Sequence, residues 1–204
     1  MLFSDTYKEI KKPSKGLYKE KGSKFISYAF PVHSEEQVKQ RIDDVKKIEN
    51  SARHHCYAFV LHADKSAIRS NDDGEPSSTA GKPILGRIES NDLTNTLIIV
   101  ARYFGGIKLG IPGLIRSYKA AAEDSLLNNK VIQKNIKEIY ELEFMYENIN
   151  NVMSIIKTEN IDVITTDLKL DCKIIVSISR KDAERIINLF KNNYKINTKY
   201  LKTI

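Results

Sequence analysis

Residues Leu97–Tyr118, LIIVARYFGGIKLGIPGLIRSY, carry the reading of this chain. The stretch opens on Leu97, Ile98, Ile99 and Val100, and a short unbroken apolar run followed by glycines reads as a buried strand. Gly105, Gly106, Gly110 and Gly113 come next. Glycine accepts positive φ and lets another backbone or a phosphate approach closely. Pro112 suits the first turn of a helix, where a missing N–H loses no partner. Strand, glycine loop and helix start gather backbone N–H groups and the positive end of a helix dipole at one place. Arg102, Lys108 and Arg116 flank that place, which is therefore a candidate site for an anion or a nucleic-acid backbone. The spacing is neither a G-x-G-x-x-G fingerprint nor a P-loop. Between Gly74 and Gly81-Lys82 there are too many residues, and Pro83 stands where a Ser or Thr would hold magnesium.

Working outward, residues 25–32 read as a strand and Ser34 as the N-cap of a helix, with Gln37 completing a capping box. Val38, Ile42, Val45 and Ile48 follow at helical spacing. Residues 54–62, HHCYAFVLH, read as a strand covered on both faces. His55, Tyr57, Phe59 and Leu61 point one way; His54, Cys56, Ala58, Val60 and His62 point the other. Residues 64–83, DKSAIRSNDDGEPSSTAGKP, form a long polar segment, and loops of this length are usually functional or disordered. A short helix is expected from Ile84 to Glu89, and another from Pro112 to Leu127 with Leu114, Ile115, Tyr118, Ala121, Ala122, Ser125 and Leu126 as its apolar stripe.

The remainder has its own rhythm. Strands at 138–146, 162–168, 170–179 and 196–204 and helices at 149–158 and 181–192 give the order β-α-β-β-α-β, the ferredoxin-like plan. The fold class predicted is α+β in two domains, residues 1–133 and 134–204, joined through the polar link NNKVIQKN.

The chain of 204 residues is 41% hydrophobic and 29% charged, enough for a core and a polar surface. No apolar run approaches the ~20 residues that span a bilayer, so no membrane contact is expected. MLFSDTYKEIKKP lacks the apolar centre of a secretory signal, and Cys56 and Cys172 make no disulfide framework. Together these predict a cytoplasmic protein with reduced thiols. The net charge is +7; residues 1–133 hold 21 Lys+Arg against 16 Asp+Glu, or +5, and residues 134–204 hold 12 against 10, or +2. A basic domain attracts polyanionic partners over long range.

The remaining polar residues bear on other chemistry. His54, His55, Cys56 and His62 fit no zinc spacing, and adjacent strand positions face opposite ways; neither a metal nor a cofactor is expected. Asp72, Asp73 and Glu75 form an acidic cluster suited to acid–base work or to a plain solvated turn, since Asp73-Gly74 is a turn dipeptide. Ser77, Ser78 and Thr79 lack any motif that presents a nucleophile.

Three stretches resemble the hallmarks of the YigZ/IMPACT family. Asp72 to Leu85, DDGEPSSTAGKPIL, is similar to the family's DDGEPSGTAGKPIL; Arg102 to Tyr118 resembles its second hallmark; Ala52 to Ala58, ARHHCYA, resembles a third. Ser78 stands where the family usually has glycine, and Pro112 replaces a small residue. The resemblance implies an N-terminal domain like ribosomal protein S5 domain 2 and elongation factor G domain IV, and a tail like domain V of that factor. It implies a link to translation, since eukaryotic members belong to a translation regulator. These members carry a different N-terminal module, so their partner contacts are not carried over.

Two functions are therefore expected in order. The first is a protein that binds RNA or the ribosome, without turnover, through Arg102, Lys108, Arg116 and Lys82 and the glycines at 105, 106, 110 and 113. In this reading Tyr103 and Phe104 are candidates to stack on bases. The alternative is an enzyme whose pocket lies between the DDGEP loop and the glycine loop, with His55, Asp73 and Glu75 as acid–base groups and an anionic substrate clamped by Lys82 and Lys108.

Overall fold

The computed structural model describes residues 5–192 and 195–204. The chain divides into two units, Tyr7–Lys134 and Asn135–Ile204, with Asp5 and Thr6 belonging to the second. From residue 6 to residue 135 it runs through β1 (Thr6–Ile10), β2 (Ser14–Glu20), β3 (Ser23–Pro31), α1 (Glu35–Ile48), β4 (His54–Leu61), β5 (Ala67–Asn71), α2 (Gly81–Ser90), β6 (Thr96–Tyr103), α3 (Gly110–Leu127) and β7 (Val131–Asn135). β1 and β7 form a two-stranded ribbon. The other five strands make one sheet in the order β2-β3-β6-β4-β5, with every neighbouring pair antiparallel.

β6 lies at the centre of this sheet, which is why its sequence is apolar without alternation. Ile98 and Val100 enter a core with Ile84 and Ile88 of α2 and Tyr118 and Ala122 of α3. Leu97 and Ile99 enter a second core on the opposite face with Val38 and Val45 of α1. Each large side chain buried this way stabilises the unit by about 1.5–3 kcal/mol. α1 starts where Ser34 Oγ accepts from Gln37 N at 3.3 Å. The Gln37 side chain reaches one residue beyond the cap and accepts from His33 N at 2.8 Å.

The long polar segment is not one loop. Its first part is β5, an edge strand, and α2 already begins at Gly81, three residues before the expected start. α3 likewise begins at Gly110, so Pro112 is its third residue. Ile48 and Ile115, expected on apolar stripes, are exposed.

The second unit contains β8 (Lys137–Met145), a short 3-10 turn at Tyr146–Asn148, α4 (Ile149–Thr158), β9 (Asp162–Asp167), β10 (Asp171–Ser179), α5 (Arg180–Lys191) and β11 (Ile196–Thr203). Its sheet has the order β11-β8-β10-β9, antiparallel throughout, which is the ferredoxin-like arrangement. Leu142, Ile174 and Val176 of the sheet pack on Val152 and Ile156 of α4 and Ile186 and Phe190 of α5. No described helix in either unit is long and apolar enough to cross a membrane.

Candidate functional site

The DDGEP turn is built around Asp72. Its Oδ1 accepts from Ala80 N at 2.9 Å and Gly81 N at 2.8 Å, and its Oδ2 accepts from Ser78 N at 2.9 Å. The carboxylate thus fills the N-terminus of α2, whose own N-cap, Ala80, offers no side-chain acceptor. Burial opposes its ionisation, but three backbone donors outweigh that and hold the carboxyl below its usual value. Ser78 takes φ +64° in this turn, the left-handed conformation that suits the family's glycine.

Glu75 closes the turn onto the sheet. Its Oε1 accepts from Arg102 Nη1 at 2.5 Å and from Tyr118 Oη at 2.8 Å. Both charged side chains are at least nine-tenths buried. Tyr118 Oη also lies 3.3 Å from Cys56 Sγ, which sits 3.0 Å from Asp72 O. Burial pushes both the Cys56 thiol and the Tyr118 hydroxyl up, which favours the neutral form of each.

Beside this network the DDGEP turn and the glycine loop line one cleft of about 520 Å³. Glu75 and Pro76 come from the turn, Arg102 and Phe104 from the end of β6, and Lys108 to Ile111 from the glycine loop. Arg53 and His54 contribute the third wall. His54 is the register partner of Arg102 across β4 and β6. Its Nδ1 lies 2.8 Å from Asp73 O. A carbonyl only accepts, so Nδ1 carries the proton and Nε2 of the neutral ring is an acceptor. The N-terminus of α3 reaches the cleft through Gly110 and Ile111, and its N-cap Leu109 provides no side-chain bond. Of the two helix N-termini in this region, one holds the protein's own carboxylate and the other, among the described residues, receives no side-chain cap and is open.

The glycines act in two ways. A Cβ on Gly105 would lie 1.9 Å from the carbonyl carbon of Gly22, and one on Gly113 would lie 2.9 Å from Leu109 Cβ. These two permit close packing. Gly106 and Gly110 have φ of +86° and +69° and shape the turn.

The nominated cations do not act as one set. Arg102 bonds Glu75 through Nη1, and Arg116 Nη2 bonds Glu20 Oε1 at 2.7 Å. Lys82 is exposed at the start of α2, near Asp72, and does not line the cleft. Lys108 is exposed and, among the described residues, makes no ion pair; the same holds for Arg53, which sequence reasoning missed. Tyr103 faces α1, where its hydroxyl donates to Glu49 Oε2 at 2.7 Å and is pushed up to about 12 by that carboxylate. Phe104 is 46% exposed and lines the cleft.

The alternative trio splits: His55 and Asp73 stay together, with His55 Nδ1 3.9 Å from Asp73 Oδ2, and Glu75 lies apart from them at the cleft. His55 is buried on the α1 face, with Nε2 donating to Glu49 O at 3.0 Å. Asp73 Oδ2 accepts from His55 N at 2.6 Å and does not line the cleft. Only Glu75 reaches it. His54 is the histidine that does, and alternation along residues 54–61 is the signal that puts it there. Among the described residues no cluster of His, Cys, Asp and Glu is arranged to hold a metal.

Residues 21–126 match the family described as Impact N-terminal domain. The chain is 31% identical to an IMPACT family member of Haemophilus influenzae over 80% of its own length and 81% of the relative's. It is 30% identical to the IMPACT family member YigZ of Escherichia coli, over 72% and 73%. With the IMPACT family member YvyE of Bacillus subtilis the identity is 38%, and the match spans 57% of this chain and 54% of the relative. A solved structure described as a hypothetical protein has the same fold, with a TM-score of 0.78 at 24% identity, covering 98% of this chain and 99% of that one. The chain belongs to the IMPACT family.

Proposed function

We propose that this protein acts in translation regulation by binding RNA, free or on the ribosome, through the glycine-loop end of its first unit. Family membership supports the translational part, since the family's eukaryotic members include a translation regulator. The observation that carries the RNA part is the open N-terminus of α3 beside Lys108 and Arg53, two exposed cations that no described carboxylate pairs. Backbone N–H donors at a helix start together with mobile cations are the ordinary means of holding a phosphate. Arg102 serves this site from behind. It anchors the loop to the DDGEP turn through Glu75, so its removal disturbs the fold as well as the charge.

Filter binding of the full chain to ribosomal RNA at low salt tests the reading. Micromolar or tighter binding that falls steeply with salt is expected. Binding no tighter than that of an uncharged control protein overturns it.

A second reading, an enzyme acting on an anionic substrate in the same cleft, draws support from His54 alone. Its Nδ1 is oriented by a carbonyl and its Nε2 is left as an acceptor, the arrangement of a general base. No activated nucleophile accompanies it among the described residues, and binding without turnover accounts for more of the cleft.

A further inference from the structure

The cleft holds more than a backbone phosphate requires. Arg102 is nine-tenths buried, yet only Nη1 of its guanidinium is satisfied; Nε is buried without a partner, and Nη2 makes no hydrogen bond among the described residues. The sealed Nε is out of a ligand's reach, so Nη2 is the N–H that Arg102 has left for an acceptor at the cleft it lines. The guanidinium carbon lies 5.5 Å from the Phe25 ring centroid and 5.8 Å from that of Phe104. Phe104 is thereby supported from within, while 46% of its surface stays open at the cleft. Ile111, on the first turn of α3, adds an exposed apolar side chain at the same opening. An exposed aromatic ring, an apolar neighbour, a spare guanidinium N–H and an open helix N-terminus together match an aromatic anion rather than a bare one. A volume of about 520 Å³ falls in the range of small-ligand sites, roughly 300–1,000 Å³.

We propose that the cleft binds one nucleotide unit, with its base stacked on Phe104 and its phosphate held by Lys108, the Arg102 guanidinium and the N–H groups of Gly110 and Ile111. This proposal rests on the RNA reading above for its natural source, a single-stranded segment from which one base turns into the cleft. The same chemistry is offered by a free mononucleotide. Stacking on one aromatic ring carries about 1–3 kcal/mol per base and is tolerant of base identity, so recognition is of a nucleotide and not of a particular sequence.

The test is an NMR titration of the isotopically labelled full chain with AMP, adenosine and inorganic phosphate, alongside filter binding to a single-stranded RNA oligonucleotide. AMP is expected to shift the amides of Phe104, Lys108, Gly110 and Ile111 and to bind at least about tenfold tighter than adenosine or phosphate. Phe104→Leu, at a half-exposed position that leaves the core intact, should weaken AMP by about 5- to 100-fold and leave phosphate binding unchanged. Equal affinity for AMP and phosphate, no effect of Phe104→Leu, or shifts confined to another surface would each overturn the proposal. If wild type and Phe104→Leu bind the RNA equally, the nucleotide site falls and the RNA reading stands. If AMP binds in the cleft and RNA does not bind at all, the RNA reading falls and the source is the free nucleotide.

Discussion

Arg102 Nη1 donates to Glu75 Oε1 at 2.5 Å and joins the strand that launches the glycine loop to the DDGEP turn. The pair is nearly sealed from solvent, with 9% and 4% of the two side chains exposed. Removing one partner of a buried pair strands the other charge, at a cost of about 3–5 kcal/mol. Glu75→Ala and Arg102→Ala should each lose about that much stability in urea unfolding. The double variant should lose much less than the sum, because neither charge is then left alone. Additive losses would show that the two side chains are not coupled.

Asp72 predicts a pH dependence. Its folded carboxyl titrates below the unfolded value of about 3.9. Its contribution is therefore fully present above that value and is lost as pH falls through the folded pKa. Asp72→Asn should lower stability at neutral pH by about 0.5–2 kcal/mol, the range for a lost helix cap. It should also flatten the fall in stability below about pH 4. Chemical denaturation of both proteins between pH 2 and pH 7 reads both effects; parallel curves would contradict the assignment.

Ser78 sits at φ +64° with its N–H on Asp72 Oδ2. An L-residue in this region carries about 1–2 kcal/mol of strain. Glycine removes it and keeps the N–H, while adding some unfolded-chain entropy. Ser78→Gly should raise stability by a few tenths to about 1 kcal/mol, and Ser78→Val should lower it. Thermal unfolding of the two variants decides the order.

Much of this was legible in the residues. The strand–glycine loop–helix unit and the β-α-β-β-α-β tail were readable because their apolar periodicities are strong and tertiary packing agrees with them. β5 was not, because AIRSN is an edge strand with Ile68 exposed and no buried face to impose alternation. β2 was hidden similarly: its Gly16, which reads as a strand breaker, lets α3 approach, since a Cβ there would lie 2.4 Å from Ser125 N. At the site, the alternation of β6 already places Arg102 on the face of Ile98 and Val100, where a buried cation needs a carboxylate. Which carboxylate depends on how the DDGEP turn folds back, and no local pattern states that. The same alternation puts His54 and His55 on opposite faces of the sheet, and which face borders the cleft depends on how the two loops fold back.

In the proposed function, the open N-terminus of α3, with Lys108 and Arg53, holds a phosphate backbone. The most direct measurement is the salt dependence of binding to ribosomal RNA for the wild type and for the Arg53→Ala/Lys108→Ala double variant, two exposed positions whose loss spares the fold. Each neutralised phosphate contributes about 0.7–0.9 to the slope of log affinity against log salt. A slope shallower by about 1.4–1.8 is expected in the double variant, with unchanged urea unfolding. Identical slopes in two equally stable proteins would contradict it.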